Sequence, residues 1–308
     1  MNALEVVGVG ETLLQLVAPE GQTLENAGCL IASTAGAESN VVCHLARLGH
    51  EVGMLTAVGD DPWGRRVLDD LAEAGVHTTH VATSTAGPTG IYAKGRHDGR
   101  DRVWYHRAGS AASHLGPHVL AALSPVPRIV HFSGILPALS PTCAALAQEL
   151  PGLRERGALL SFDVNHRPAL WGPEAAAEPL ADLARRSDIV FVGLDEAARL
   201  WGCRDAADVR AHLPGPAFVI VKDDDRDAVE WSGQARSALA PEPVVVRDVV
   251  GAGDAFAAGW LSAYLDDADG RPEDRLRRAH GVAALVLQSM TDHPHDQRAL
   301  AALRGAPA

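Results

Sequence analysis

Cysteine is scarce in this chain, with four in 308 residues: Cys29, Cys43, Cys143 and Cys203. Their scatter, without a CxxC pair, excludes a zinc ribbon or a thioredoxin-like redox pair, and a long cysteine-poor chain fits a reducing cytoplasm. Basic residues are also short, 27 Lys and Arg against 39 Asp and Glu, for a net charge of −12. With no basic tract to neutralise phosphates, non-specific binding to nucleic acid or to an acidic membrane surface is excluded. Long apolar runs are missing, and the first residues, MNALEVVGVGETL, carry no basic stretch. Neither a signal peptide nor a transmembrane helix is expected. The segment GVGETL lacks the third glycine of a dinucleotide-binding fingerprint. His77, His80, His293 and His295 have no Cys or carboxylate spacing suited to a metal and read as surface histidines.

What is present is an ordinary globular composition, 47% apolar, enough for a sizeable core. Short apolar segments at 4–9, 53–58, RIVHFSG, ALLSFDV, DIVFVG and AFVIVK predict strands. Between and after them, helical spacing recurs near 41–48, within the turn and amphipathic helix of GDDPWGRRVLDDLAEAG up to Gly75, and near 140–150, 174–186, 194–212, 253–265 and 273–290. Such alternation predicts a mostly parallel sheet with helices on both faces. The aromatic-bearing segments TGIYAK and DRVWYHR, joined by polar GRHDGR, predict a β-hairpin excursion over 89–107. No Pro/Ser-rich linker divides the chain, so a single α/β domain over 1–308 is expected. Trp201 and Trp260 sit at helix-face spacing and are expected in the core.

The most specific chemical signal is DVVGAGDAFAAGW, Asp248 to Trp260. Gly251, Ala252 and Gly253 have little or no side chain, so their backbone N–H groups can approach a ligand. The N-terminus of the helix that follows adds its positive dipole end, which makes an anion site. Asp254 opens that helix. A carboxylate beside a phosphate cradle is repulsive unless its task is to take a proton from an attacking hydroxyl. Read alone, a short glycine pattern is equally a structural turn.

The run D-x-x-G-A-G-D-A-F resembles the second signature of the ribokinase (PfkB) family of sugar kinases, with Val249 and Val250 where the family has threonine. AGAESNVVCHLARLGHEVGMLTAVGDDPWGRRVL, 35–68, resembles the first signature. The resemblance covers roughly 4–292. It implies a ribokinase-like fold with small β-lid segments near 12–34 and 89–107. It also implies an ATP-dependent kinase using Mg²⁺ and K⁺, and a homodimer or higher homo-oligomer formed through the lid's exposed face.

Gly36, Ala37 and Asn40 would line the sugar pocket; equally, Asn40 reads as a helix cap and the glycines as turns. Tyr92 in TGIYAK, Tyr105 and Arg107 in YHRAGSAAS, and Arg167 in DVNHRPALW resemble the substrate residues of 2-keto-3-deoxygluconate kinases, as does Asp292 in SMTDH. An arginine fork suits the carboxylate of a sugar acid, although Arg107 could instead pair with a surface acid and Arg167 with ATP phosphates. On the nucleotide side the resemblance implies Asn165, Arg167, Gly193, Lys222, Asp223, Asp225 and Ala228 with the glycine loop. The usual K-x-G-x-x-G is replaced here by an acidic loop. Glu196 would organise Mg²⁺, and Asp248 with the Val250 carbonyl would hold a monovalent cation. The expected function is phosphorylation of 2-keto-3-deoxygluconate to its 6-phosphate. The alternatives are a kinase for a neutral sugar (fructose, ribose or a nucleoside) and a non-catalytic sugar- or nucleotide-binding homologue.

Overall fold

The structure is a computed structural model that describes residues 3–97, 100–289 and 297–305. Among these, the strands in chain order are β1 (Val6–Val9), β2 (Leu13–Val17), β3 (Ile31–Ala35), β4 (Val52–Gly59), β5 (Val81–Ser84), β6 (Ile91–His97) and β7 (Arg100–His106). They continue with β8 (Ile129–Ser133), β9 (Leu159–Asp163), β10 (Ile189–Gly193), β11 (Phe218–Lys222), β12 (Ala228–Ser232) and β13 (Ala235–Leu239). Nine strands form one sheet in the order β13-β12-β11-β10-β9-β8-β1-β4-β5. From β11 to β5 every pairing is parallel, and β12 and β13 close one edge as an antiparallel hairpin.

The parallel strands are apolar on both faces because residues alternate sides with period two. Val190 and Val192 pack into one core with the helices Pro141–Glu149 and Pro173–Arg185. Ile189 and Phe191, one residue out of step, pack into the other core with Ala37–Arg47, Ala252–Asp266 and Pro272–Leu287. The expected parallel sheet covered on both faces is thus what forms. No helix among the described residues is long and apolar enough to cross a membrane.

A second sheet, ordered β3-β2-β6-β7, is made by the early excursions. β2 runs antiparallel to β3 and parallel to β6, while β6 and β7 pair as the expected hairpin.

Two expectations need correction, and one element was not expected. The helical pattern over 194–212 breaks into Leu194–Trp201 and Ala206–His212. Gly202 takes a left-handed turn at φ 70°, and Asp205 caps the second helix with its side chain. Trp201 is half-buried rather than a core residue, its Nε1 donating to the Ala177 carbonyl at 2.9 Å. The β12–β13 hairpin was not anticipated, because Ala228–Ser232 is short and follows an acidic turn.

Candidate active site

One large cleft, about 1260 Å³, runs along the C-terminal ends of the parallel strands and under the second sheet. Ligands of open α/β sheets bind at this edge because the strands' carboxyl ends and the helix N-termini converge there. Every candidate site residue from the sequence lines it except Asp248 and Asp292. Asp292, like His293 and His295, lies outside the described residues.

Two helix N-termini build the centre. Gly36 precedes the helix Ala37–Arg47 at φ 143°, and a Cβ there would sit 2.4 Å from the Glu11 carbonyl oxygen, so only glycine fits. Gly251 starts the helix Ala252–Asp266 in the left-handed region at φ 81°, and no side chain caps that helix. The Ala252 N–H reaches the Val249 carbonyl at 3.4 Å, which leaves the N–H groups of Gly253 and Asp254 facing the cleft. The two helices pack against each other. That contact puts Asn40, one turn into the first, against Asp254, one turn into the second: Asn40 Nδ2 donates to Asp254 Oδ2 at 2.8 Å. Asn40 thus serves the acid rather than capping its own helix.

Asp254 is buried, with 8% exposure. Burial pushes its pKa up to about 8, opposed by the Asn40 hydrogen bond and by the charges of Arg167 and Lys222, and reinforced by Asp163. Asn165 approaches from the other side, Nδ2 to Oδ1 at 3.5 Å. Asn165 has φ 37°, a conformation asparagine tolerates better than most residues. The kink turns its side chain to Asp254 and the next N–H, of His166, to Glu196 Oε1 at 2.9 Å.

Toward the donor end, Lys222 at the end of β11 donates to Asp163 at the end of β9, 2.9 Å. Burial disfavours the ammonium, but Asp163, Glu196 and Asp254 outweigh it and hold its pKa above normal. Glu196 accepts the N–H of Gly193 and of His166, both at 2.9 Å. Burial raises its pKa, with Asp163 adding and Lys222 opposing. The acidic loop after Lys222 is the tight turn into β12, with Asp224 at φ 46°. Arg226 folds back on Asp223 at 2.9 Å and offsets part of the charge there. Asp163 opens the DVNHRPALW segment, where the sequence pattern points only to Asn165 and Arg167. Its Oδ1 is buried without a hydrogen-bond partner among the described residues. A carboxylate oxygen left bare beside Glu196 fits a hydrated divalent cation.

Toward the acceptor end, Tyr92 is buried, and its ring lies 5.6 Å from that of Tyr105. The guanidinium of Arg107 stacks over Tyr105 at 4.7 Å. Its Nη1 lies 3.1 Å from Glu11 Oε2 in an ion pair, and its Nε has no hydrogen-bond partner among the described residues. Arg107 therefore already faces a carboxylate of the chain. Burial raises the Glu11 pKa, against the pull of Arg107 and Ser110. Behind Glu11 lies Glu38, buried and accepting from the N–H and hydroxyl of Ser133 at 3.0 and 2.6 Å. Burial pushes its pKa up to about 7, with those bonds opposing. A Cβ at Gly10 would meet the Glu38 carboxyl carbon at 2.3 Å, which explains glycine before Glu11. Neither acid was picked out from the sequence, although Glu38 stands between Ala37 and Asn40.

The cation site expected at Asp248 and Val250 looks different. The Asp248 carboxylate is ion-paired with Lys94 of β6, and its Oδ1 accepts the Val250 N–H at 3.0 Å.

A parallel sheet clothed in helices, bridged by a second sheet over a glycine loop that carries a buried acid, defines a small-molecule kinase of the ribokinase-like class. The chain belongs to the pfkB family of carbohydrate kinases, whose pattern it matches over residues 3–295. It is 33% identical over 303 residues to a 2-dehydro-3-deoxygluconokinase of Bacillus subtilis, covering 94% of this chain and 91% of that one. A 2-dehydro-3-deoxygalactonokinase of Haloferax volcanii is 32% identical over 293 residues, covering 92% and 90%. The crystal structure of a PfkB protein from Polaromonas sp. JS666 superposes with a TM-score of 0.85 at 36% identity, over 94% of this chain and 97% of that chain.

Proposed function

We propose that this carbohydrate kinase transfers the γ-phosphoryl group of ATP to the 6-hydroxyl of 2-keto-3-deoxygluconate, with Asp254 as general base. The observation that carries the base assignment is the buried Asp254 carboxylate, held by Asn40 at the head of an uncapped helix. The sugar hydroxyl gives its proton to Asp254 as its oxygen attacks the phosphorus in line. The N–H groups of Gly251 to Asp254 bear charge on the transferring group, and Lys222 and Arg167 bring positive charge to the same end. Asp163 and Glu196 are the residues that would hold Mg²⁺, which would neutralise phosphate charge there. The second sheet acts as the lid: β6 and β7 lay Tyr92, Tyr105 and Arg107 over the sugar and exclude water. Arg107 and Arg167 are the groups available to a substrate carboxylate, and the names of the relatives in B. subtilis and H. volcanii support a sugar acid.

One observation favours a second reading, a neutral sugar as acceptor. Arg107 is already paired with Glu11, and a carboxylate substrate would have to draw the guanidinium away from it. A panel of 2-keto-3-deoxygluconate, its galactonate epimer, fructose and ribose with ATP, scored by ADP release, tests both. Arg107→Ala is expected to raise KM for the sugar acid far more than for any neutral sugar that is phosphorylated. Equal effects would remove the carboxylate argument, and turnover of neutral sugars alone would establish the second reading.

A further inference from the structure

Lys94 and Asp248 lie 154 residues apart in sequence and meet in an ion pair whose side chains are only 10% and 13% exposed. Lys94 is two residues after Tyr92 on β6, and so on the same face of the second sheet. Asp248 stands at the entrance of the glycine loop. One of its oxygens takes the ammonium and the other fixes the Val250 N–H. The adjoining backbone is fastened as well: the N–H groups of Arg247 and Asp248 both point at the Leu287 carbonyl, at 2.7 and 3.3 Å. A lysine buried to this degree is costly to place unless its charge is paired. Here the pairing spans the two parts of the site, joining the sheet that holds the acceptor residues to the loop whose amides face the phosphoryl group.

The resemblance implied a monovalent cation on Asp248. The residues present do not fit one, because a metal ion on that carboxylate would sit within a few ångströms of the ammonium, where like charges repel. We infer that Lys94 is a positioning residue of phosphoryl transfer, its ammonium serving as a built-in cation at the entrance of the glycine loop in place of K⁺. It shapes the loop through Asp248 and Val250 and couples the loop to the position of the second sheet.

The inference rests on the kinase reading, so its test includes a readout that needs no turnover. Thermal unfolding of the wild type, Lys94→Met, Lys94→Arg and Asp248→Asn is followed without substrate, in KCl and in choline chloride at an equal ionic strength of about 0.1 M. Then kcat and KM for the best sugar are measured in both salts. The wild type is expected to show the same Tm and kcat in the two salts. Lys94→Met is expected to lose about 10–100-fold in kcat in choline chloride with the sugar KM little changed, the scale seen when a group supporting a site is removed. K⁺ is expected to restore part of that kcat and raise the Tm of Lys94→Met, and Lys94→Arg to keep most of the activity. A wild type whose Tm or kcat depends on K⁺, or Lys94→Met with full kcat in choline chloride, overturns the inference. If Lys94→Met does not fold, the wild-type salt comparison and the Arg and Asn variants decide. If no sugar is phosphorylated, the kinase reading fails and the unfolding data alone decide about Lys94.

Discussion

Asp254 shows how far a single residue's surroundings can move its chemistry. Its pKa of about 8 in the folded chain compares with about 4 in an unfolded one. The folded state therefore holds this proton more tightly, so the stability tied to it is present at low pH and lost as pH rises through about 8. Replacing the group with Asn removes that loss. Asp254→Asn is expected to raise Tm by an amount that grows between pH 5 and pH 8, while turnover falls about 10²–10⁴-fold. For the wild type, kcat/KM is expected to climb with pH toward a plateau above about 8, since only the carboxylate can accept the proton. Unfolding scans across pH check the first, and a pH–rate profile the second. A variant with wild-type kcat, or a Tm gain that shrinks with rising pH, would be incompatible with this account. The glycine loop and Asp254 were readable from residue types because backbone access and helix polarity follow from the local sequence. Glu11, Glu38 and Asp163 were not picked out, because an acid's importance here comes from burial against strands distant in sequence.

At the scale of elements, the helix carrying Asp254 is anchored by a second buried acid far from the cleft. Glu230 on β12 has no exposure and accepts the Trp260 Nε1–H at 2.8 Å. Its other oxygen takes Ser232 and the guanidinium of Arg275, which also lies over the Trp260 ring at 5.4 Å. The edge hairpin, the glycine-loop helix and the next helix are thereby tied together. Glu230→Gln leaves the Arg275 charge buried without its counter-ion. The expected cost is about 3–5 kcal/mol of stability, read by urea unfolding, with kcat of the surviving folded protein close to that of wild type. The helices and parallel strands were legible because both periodicities are strong. Element ends that depend on one residue, such as the break at Gly202, were less so, and β12–β13 was missed because its strand signal is short.

For the whole molecule, two sheets share one site, and the open edge of the smaller one carries Leu30 and Ile31 at 39% and 47% exposure. Adjacent exposed aliphatics on an edge strand favour a partner surface. A second copy of the chain is the expected partner, as the family resemblance implies. Light scattering is expected to give a dimer mass, and Ile31→Asp a larger monomer fraction; a wild-type monomer at all concentrations would remove the expectation. The arrangement of the cleft was legible only in part. Two signatures far apart in sequence implied one site, but the contact between the helices that start at Ala37 and Ala252, which brings Asn40 to Asp254, exists only in the folded chain.

The division of that cleft has an evolutionary consequence. Glu11, Tyr92, Tyr105 and Arg107 all come from the first 107 residues, whereas Asp163, Glu196, Lys222 and Asp254 come from the later part. On the proposed roles, mutations around β2, β6 and β7 are expected to change acceptor choice more than phosphoryl transfer, with Asn40 on Asp254 and Arg167 as the residues that cross this division. A lineage built on this plan can acquire new acceptors by drift in one small sheet, constrained mainly where Lys94 reaches across to Asp248.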